Sequence, residues 1–370
     1  MRARGFEAAP IAAEVEALAM DDWRASTYAG AAVKAIRTLS ARAPHDSRDL
    51  LQAVQEARPD ALIVDVLAWG ALSAAERWGG PWTCSCPFPL PVPSREGPPV
   101  GPGFAPARGL VGRLRDRFFQ ALFTASFERL AAPGLAKARG ELGLEPLANA
   151  AELFAAAPLH IYMTAEPFEY PRPDWPESIV MVGPCAWEPE GPLPAALASI
   201  REPLVLVSTS TDFQDDGRLV QAAMDALAGE RLHVVATLPS ADPENLRVPA
   251  NGTLLRFAPH SAILTRAVCA ITHGGMGVTQ KALALGVPVC AVPFGRDQAE
   301  VARRVEVAGA GSRLPARRLT SRRLRAEVQV ASACRPGAER IATAFAAAGG
   351  AGKAANEIER RLLAFPVGTP

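Results

Sequence analysis

A chain of 370 residues with 49% apolar side chains can bury two cores, which excludes a disordered chain or one small domain. Its 39 Lys and Arg against 38 Asp and Glu leave a net charge of +1, without the basic surplus that nucleic acid demands. No apolar run approaches the ~18 residues of a membrane span, and "MRARGFEAAP" lacks the apolar segment of a secretion signal.

The six cysteines are scattered. Cys84 and Cys86 form a C-x-C with no second pair at metal spacing. The expectation is reduced thiols in the cytoplasm and no bound metal.

Along the first half, "ALIV" (61–64) reads as a strand, 70–78 as a helix and 82–86 as a second strand. Residues 87–109 carry so many Pro and Gly that a long loop is expected, of the kind that serves as a lid or binding loop. An amphipathic helix starts at Leu110, and "APLHIYMTA" (157–165) is a further strand. His45 is placed in a loop after Pro44 and His160 on a strand, both in surface or packing roles. Prolines and a change of composition across 183–203 mark a boundary.

The second half alternates cleanly. Strands are expected at 204–207, "RLHVVATL", "GTLLRFAP", "AVCAIT", "VPVCAVPF" and "GSRLP", with helices between them, including 216–228 and 276–285. The block Arg317, Arg318, Arg322, Arg323 and Arg325 alternates with apolar residues as a solvated helix face does. Alternation of apolar strands with helices implies an α/β chain with parallel sheets covered on both faces. The expected division is a first domain over 1–190, a linker at 191–203, a second domain over 204–355 and a terminal helix or tail over 356–370.

Ligands of open parallel sheets bind beyond the carboxyl ends of the strands. His273, Gly274 and Gly275 stand at such an end, just before a helix. They suit a phosphate or diphosphate held by the amides at the helix start, and they equally suit tight packing alone. Ser208, Thr209, Ser210 and Thr211 end another strand, either for phosphate oxygens or as a solvated turn. Phe257 could stack on a base or pack in the core. Asp297 and Gln298 suit sugar hydroxyls, with Asp297 as a helix N-cap the other reading. Together they describe a nucleotide-sugar pocket.

"RFAPHSAILTRA" followed by "THGGMGVTQKALALGVPVCAVPFGRDQ" resembles the donor-binding motif of GT-B family-1 glycosyltransferases, the bacterial enzymes that decorate macrolides and other natural products. "VLVSTSTDFQDD" resembles the first strand of their second domain; "GPGFAPARG" and "ARPDALIVDVLAWG" resemble parts of their acceptor domain. The resemblance implies two Rossmann-like domains facing a cleft. It implies inverting transfer of a hexose from a dTDP- or UDP-sugar to a hydroxyl of a hydrophobic acceptor, without cofactor or metal. Carried onto this chain, Ser210, Thr211, His273 and the backbone of Gly274, Gly275, Gly277 and Val278 would hold the diphosphate. Phe257 and Ala258 would meet the base, and Asp297 and Gln298 the sugar. The acceptor would lie near Trp69, Pro87 to Pro93 and the following loop.

Two departures stand out. Lys281 occupies a position where the family commonly binds ribose hydroxyls with a glutamate, which suggests a thymidine nucleotide as donor. The family's general base is a histidine at a Gly-His turn on its first strand, oriented by an aspartate. Asp65 matches that aspartate, with a simple strand-end turn as its other reading. The histidine has no match, and "RARGFEAAPI" instead resembles the family's third-strand region, as if the chain began ~30–60 residues late. A shortened start, a degraded enzyme and an auxiliary protein that binds donor without catalysis all remain open at this point. So does a homodimer or a helper partner.

Overall fold

The computed structural model describes residues 2–363, apart from 26, 190, 212, 213, 215 and 240–245. Asp212, Phe213 and Asp215 of the strand motif, and residues 364–370 of the expected tail, therefore lie outside the described residues.

Two parallel sheets organise the chain. The first takes β1 (Leu62–Asp65), β2 (Trp82–Cys86), β3 (His160–Tyr162) and β4 (Ile179–Met181) in sequential order. Its helices are the short α1 (Ala13–Ala17), α2 (Tyr28–Ala57), α3 (Trp69–Trp78) and α4 (Gly109–Glu141). Residues 2–12 form only a 3-10 turn and irregular backbone, not the strand region they resemble.

Helix α2 runs through Pro44 and His45, where a loop was expected. Thr27 caps it by accepting the Gly30 amide at 3.1 Å, and Arg58 ends it in the left-handed region. Its length rests on packing rather than propensity, since an interior proline removes one backbone bond. The α2 backbone lies so close to α3 that a Cβ on Gly70 would fall 1.7 Å from the Ala43 carbonyl oxygen. Only glycine permits that approach. Trp69, expected near the acceptor, is 2% exposed and packs edge-on to Phe127 and Phe154 at centroid distances of 5.3 and 6.3 Å. It is core, not pocket wall.

The second sheet has six parallel strands: β5 (Leu204–Ser208), β6 (His233–Thr237), β7 (Gly252–Leu255), β8 (Ala267–Thr272), β9 (Val289–Ala291) and β10 (Gly311–Arg313). Their spatial order is β7-β6-β5-β8-β9-β10. That is the doubly wound order in which the chain reverses direction between β5 and β8, and ligands sit in the crevice outside that reversal point. The flanking helices are α5 (Gly217–Leu227), α6 (His260–Leu264), α7 (Met276–Ala284), α8 (Gln298–Val307), α9 (Ser321–Ala333) and α10 (Arg335–Ala348). The strands are buried throughout β5 and β6, which explains their unbroken apolar runs. The arginine block is exposed on and before α9.

The halves share a core. Phe168, after β3, meets the ring of Phe345 on α10 at 5.8 Å. Helix α11 (Gly350–Ile358) returns to the first sheet, where Ala354 packs with Leu159, Ile161 and Val182, and Lys353 Nζ donates to the Met181 carbonyl at 2.9 Å. No helix among the described residues is long and apolar enough to cross a membrane. The cysteines are free; burial pushes the Cys84 and Cys269 thiols up to about 12, so they are inert core residues.

Candidate functional site

His273 follows the last residue of β8, directly beside the end of β5. Its Nδ1 lies 3.4 Å from the Ser208 carbonyl oxygen, which holds the ring across the chain-reversal point. Burial lowers its pKa below the ordinary value, with Asp216 opposing the shift. The free protein therefore holds a neutral imidazole at neutral pH. An anion placed at the ring would draw the proton back and gain a charged donor.

The turn after it is built from glycines for two reasons. Gly274 has φ +87°, and a Cβ there would come within 3.0 Å of the Gln298 carbonyl oxygen. Gly275 has ordinary φ, but a Cβ would strike the His273 Nε2 at 2.3 Å. Helix α7 then begins. Its first backbone bond runs from Thr279 N to the Gly275 carbonyl, so the amides of Met276, Gly277 and Val278 lie ahead of it. A Cβ on Gly277 would meet nothing within 4 Å: the helix start faces open space. Amides, a positive helix end and a buried imidazole converge on one spot, as an anion site requires.

Around this spot the other strand ends are arranged. Ser210 is buried; its amide donates to Asp216 Oδ2 at 2.6 Å and its hydroxyl accepts from Gln214 at 2.8 Å. Thr211 is exposed. The hydroxyl run is thus divided, with Ser208 to Ser210 built into the turn and Thr211 open. Phe257, just past β7, is 65% exposed, so core packing does not explain it, while Ala258 behind it is buried. Asp297 precedes α8 but makes no capping bond with its side chain. Loss of water around its carboxyl pushes the pKa up to about 6, with Arg296 pulling the other way.

Gln298 is oriented differently from its sequence reading. It is 2% exposed, accepts the amides of Phe294 and Gly295 at 2.7 and 3.0 Å, and donates to Gln214 at 2.6 Å. It shapes the loop that presents Asp297, and its amide would have to leave Gln214 to touch a ligand.

Lys281, at the end of α7, pairs with Glu188 at 3.1 Å. Glu188 comes from the segment joining the two sheets and accepts the amides of His260 and Ser261 at 2.9 and 2.8 Å. Asp65 ends β1, and its Oδ1 accepts the Leu67 amide at 2.8 Å, as a strand-end turn does. Neighbouring protein pushes its carboxyl up from the usual range. His160 is buried on β3 with its pKa lowered by burial, and His45 lies on α2 beside Arg48.

Sequence reasoning missed a second set of residues here. Arg296, in the left-handed region at φ +52°, pairs with Asp22 at 2.9 Å. Glu300 and Arg304 on α8 bridge to the first half through Glu169. No local pattern announces such long-range partners.

Comparison with known proteins identifies the family and the fold. Residues 221–362 match the family described as erythromycin biosynthesis protein CIII-like, C-terminal domain. The chain is 33% identical over 287 residues to the 4'-demethylrebeccamycin synthase of Lentzea aerocolonigenes, covering 76% of this chain and 68% of that one. It is 28% identical to the NDP-glycosyltransferase YjiC of Bacillus subtilis, over 58% of this chain and 56% of that relative's length. Solved structures with the same fold include the calicheamicin glycosyltransferase CalG4 (TM-score 0.69, 23% identity, 94% of this chain and 83% of that one). The glycosyltransferase VinC, solved with dTDP, has a TM-score of 0.65 at 21% identity, over 97% of this chain and 88% of that one. The chain belongs to the family-1 natural-product glycosyltransferases of GT-B fold.

Proposed function

We propose that this protein transfers a hexose from a dTDP- or UDP-sugar to a hydroxyl of a hydrophobic, natural-product-like acceptor, with inversion at the anomeric carbon. The observation that carries the proposal is the pairing of His273 with the open α7 start at the β5/β8 reversal point, with the loop of Asp297 packed against that turn through Gly274 and Gln298 and with Phe257 exposed past β7 on the same edge of the sheet. In this reading Phe257 and Ala258 take the base. His273 and the amides of Gly275 to Val278 take the diphosphate, with Thr211 beside them. Asp297 accepts from the sugar hydroxyls, and Gln298 keeps it in place.

The chemistry follows from that placement. Donors aimed at the diphosphate stabilise charge as the sugar–phosphate bond breaks. We assign no metal or cofactor to this step, because the amides and imidazole supply the positive end. Asp65 is the residue the resemblance assigns as partner to a base at the acceptor hydroxyl. The relatives' names, a synthase and an NDP-glycosyltransferase, favour catalysis over a purely auxiliary role. Lys281 donates where a glutamate would accept, which favours a deoxyribose nucleotide.

Calorimetric titration with dTDP and with UDP tests the reading. Binding of at least one is expected, with His273→Ala weakening it about 10- to 100-fold, the range of one charge-assisted contact. No affinity for either nucleotide, or affinity untouched by His273→Ala, overturns the proposal. Tighter binding of UDP than of dTDP removes the thymidine assignment alone.

A further inference from the structure

The start of helix α8 touches more than the donor site. Glu300, three residues after Asp297, has a side chain 1% exposed. Its Oε1 accepts two backbone amides from the Pro/Gly-rich loop of the first half, Gly101 at 2.8 Å and Gly103 at 2.7 Å. Its Oε2 pairs with Arg304 Nη1 at 2.8 Å.

Arg304 then reaches the first domain. Its Nε and Nη2 donate to the two carboxylate oxygens of Glu169 at 3.0 and 2.9 Å, and Tyr162 donates its hydroxyl to the same carboxylate. Burial is complete at both Arg304 and Glu169.

The loop side is shaped to match. Gly103 has φ +65°, and a Cβ there would lie 2.4 Å from the Ala299 carbonyl oxygen, so no side chain fits between loop and helix. Arg303 Nε donates to the Gly103 carbonyl at 2.9 Å, and Tyr28 donates to the carbonyls of Gly101 and Arg296. Pro98, Pro99, Pro102 and Pro106 stiffen the segment. Two anchored amides therefore fix the whole stretch.

A buried ion network is weak grounds for stability by itself, since well-packed apolar residues usually do as well. What apolar residues cannot do is hold two loop amides at a set distance from Asp297.

We propose that Glu300 is a positioning residue: it fixes the loop over residues 97–107 against the helix that presents Asp297, and so sets the acceptor-side wall relative to the donor sugar. The proposal rests on the reading of the cleft given above. It concerns acceptor placement and leaves nucleotide affinity to His273 and the α7 start.

Glu300→Gln and Gly103→Ala break the same contact from opposite sides, and the second leaves the ion network intact should the first fail to fold. In the full chain, hydrogen exchange of the peptide spanning 98–105 is expected to speed up at least tenfold in both variants. Affinity for UDP and dTDP should stay within twofold of the parent. With UDP-glucose as donor and 4-methylumbelliferone as acceptor probe, the acceptor KM should rise at least fivefold while the donor KM stays within twofold. Exchange within twofold of the parent in both variants overturns the proposal, as does a parallel change in both KM values. Faster exchange with an unchanged acceptor KM also overturns it, because Glu300 would then anchor the loop without placing the acceptor. A parent that binds neither nucleotide would instead sink the donor-site reading, which is a separate result.

Discussion

The backbone of Gly274 passes so close to that of Gln298 that a Cβ on the glycine would sit 3.0 Å from the Gln298 carbonyl oxygen. The turn proposed to hold the diphosphate and the loop proposed to hold the sugar are thus in direct contact. With φ at +87°, Gly274 adopts a conformation that a side chain opposes even without the neighbour. Gly274→Ala should therefore destabilise the protein by about 1–3 kcal/mol, as left-handed strain does. It should weaken dTDP or UDP binding about tenfold or more by displacing both walls. Thermal denaturation and calorimetry check the pair of effects; unchanged affinity would show that the contact is packing without consequence for the site.

Phe257 presents the opposite case. It is 65% exposed, so removing it should change stability by less than about 0.5 kcal/mol. If it stacks on the base, Phe257→Ala should cost about 1–3 kcal/mol of nucleotide affinity, the usual worth of a base on an aromatic ring. Inorganic pyrophosphate, which has no base, should bind both proteins equally. Equal loss for pyrophosphate and nucleotide would exclude stacking.

The second sheet was legible because its central strands are apolar runs, such as Leu204 to Val207, and helices such as α5 and α7 are followed by glycine stops at Gly229 and Gly286. The first half was less so. Strand β4 is three half-buried residues hemmed in by Pro176 and Pro184, and the 30-residue α2 hides behind Pro44, which reads as a breaker. Tertiary contact with α3 outweighs that local signal. Of the site, strand-end positions were readable but side-chain direction was not. Gln298 turns inward because two loop amides and Gln214 claim it, and those partners come from two separate segments of chain. Glu300 and Glu169 lie 131 positions apart, so no window of sequence could pair them through Arg304.

His260 makes stability depend on pH in a defined direction. Burial lowers its imidazole to about 4, helped by Lys281 and opposed by Glu188, and its Nε2 sits 3.0 Å from the Thr237 hydroxyl. The unfolded chain takes up a proton below the ordinary value of about 6.5, while the native chain refuses it until about 4. The contribution is thus complete above pH ~6.5 and falls away as the pH drops. Allowing for partial exposure, the loss reaches about 2–3 kcal/mol by pH 4. His260→Gln, which can keep an amide near Thr237, should lose that much less stability than the parent between pH 7.5 and 4. Identical pH dependence in chemical denaturation would refute the assignment.

Asp297 should show the reverse sign, and here stability and function pull apart. Its carboxyl is raised from the ordinary value of 3.8 to about 6. The native state therefore holds a proton that the unfolded state has already released, and the penalty for ionising it grows from pH ~4 and is complete above ~6. Because the residue keeps some contact with solvent, the penalty at pH 7.5 is about 1–3 kcal/mol. Asp297→Asn removes it, so the variant should be more stable than the parent at pH 7.5 and indistinguishable from it at pH 4. The same change should lower kcat/KM for UDP- or dTDP-glucose about 100-fold, since the neutral amide is a weaker acceptor for a sugar hydroxyl than a carboxylate. Affinity for UDP or dTDP alone, which lack the sugar, should stay within about twofold. In the parent, the advantage of the nucleotide sugar over the bare nucleotide should shrink below pH 6 as the carboxyl takes its proton, and in the variant that ratio should not vary with pH. A variant that loses nucleotide and nucleotide sugar alike would mean that Asp297 shapes the loop without touching the hexose. A variant no more stable at pH 7.5 would mean that its charge is not strained at all.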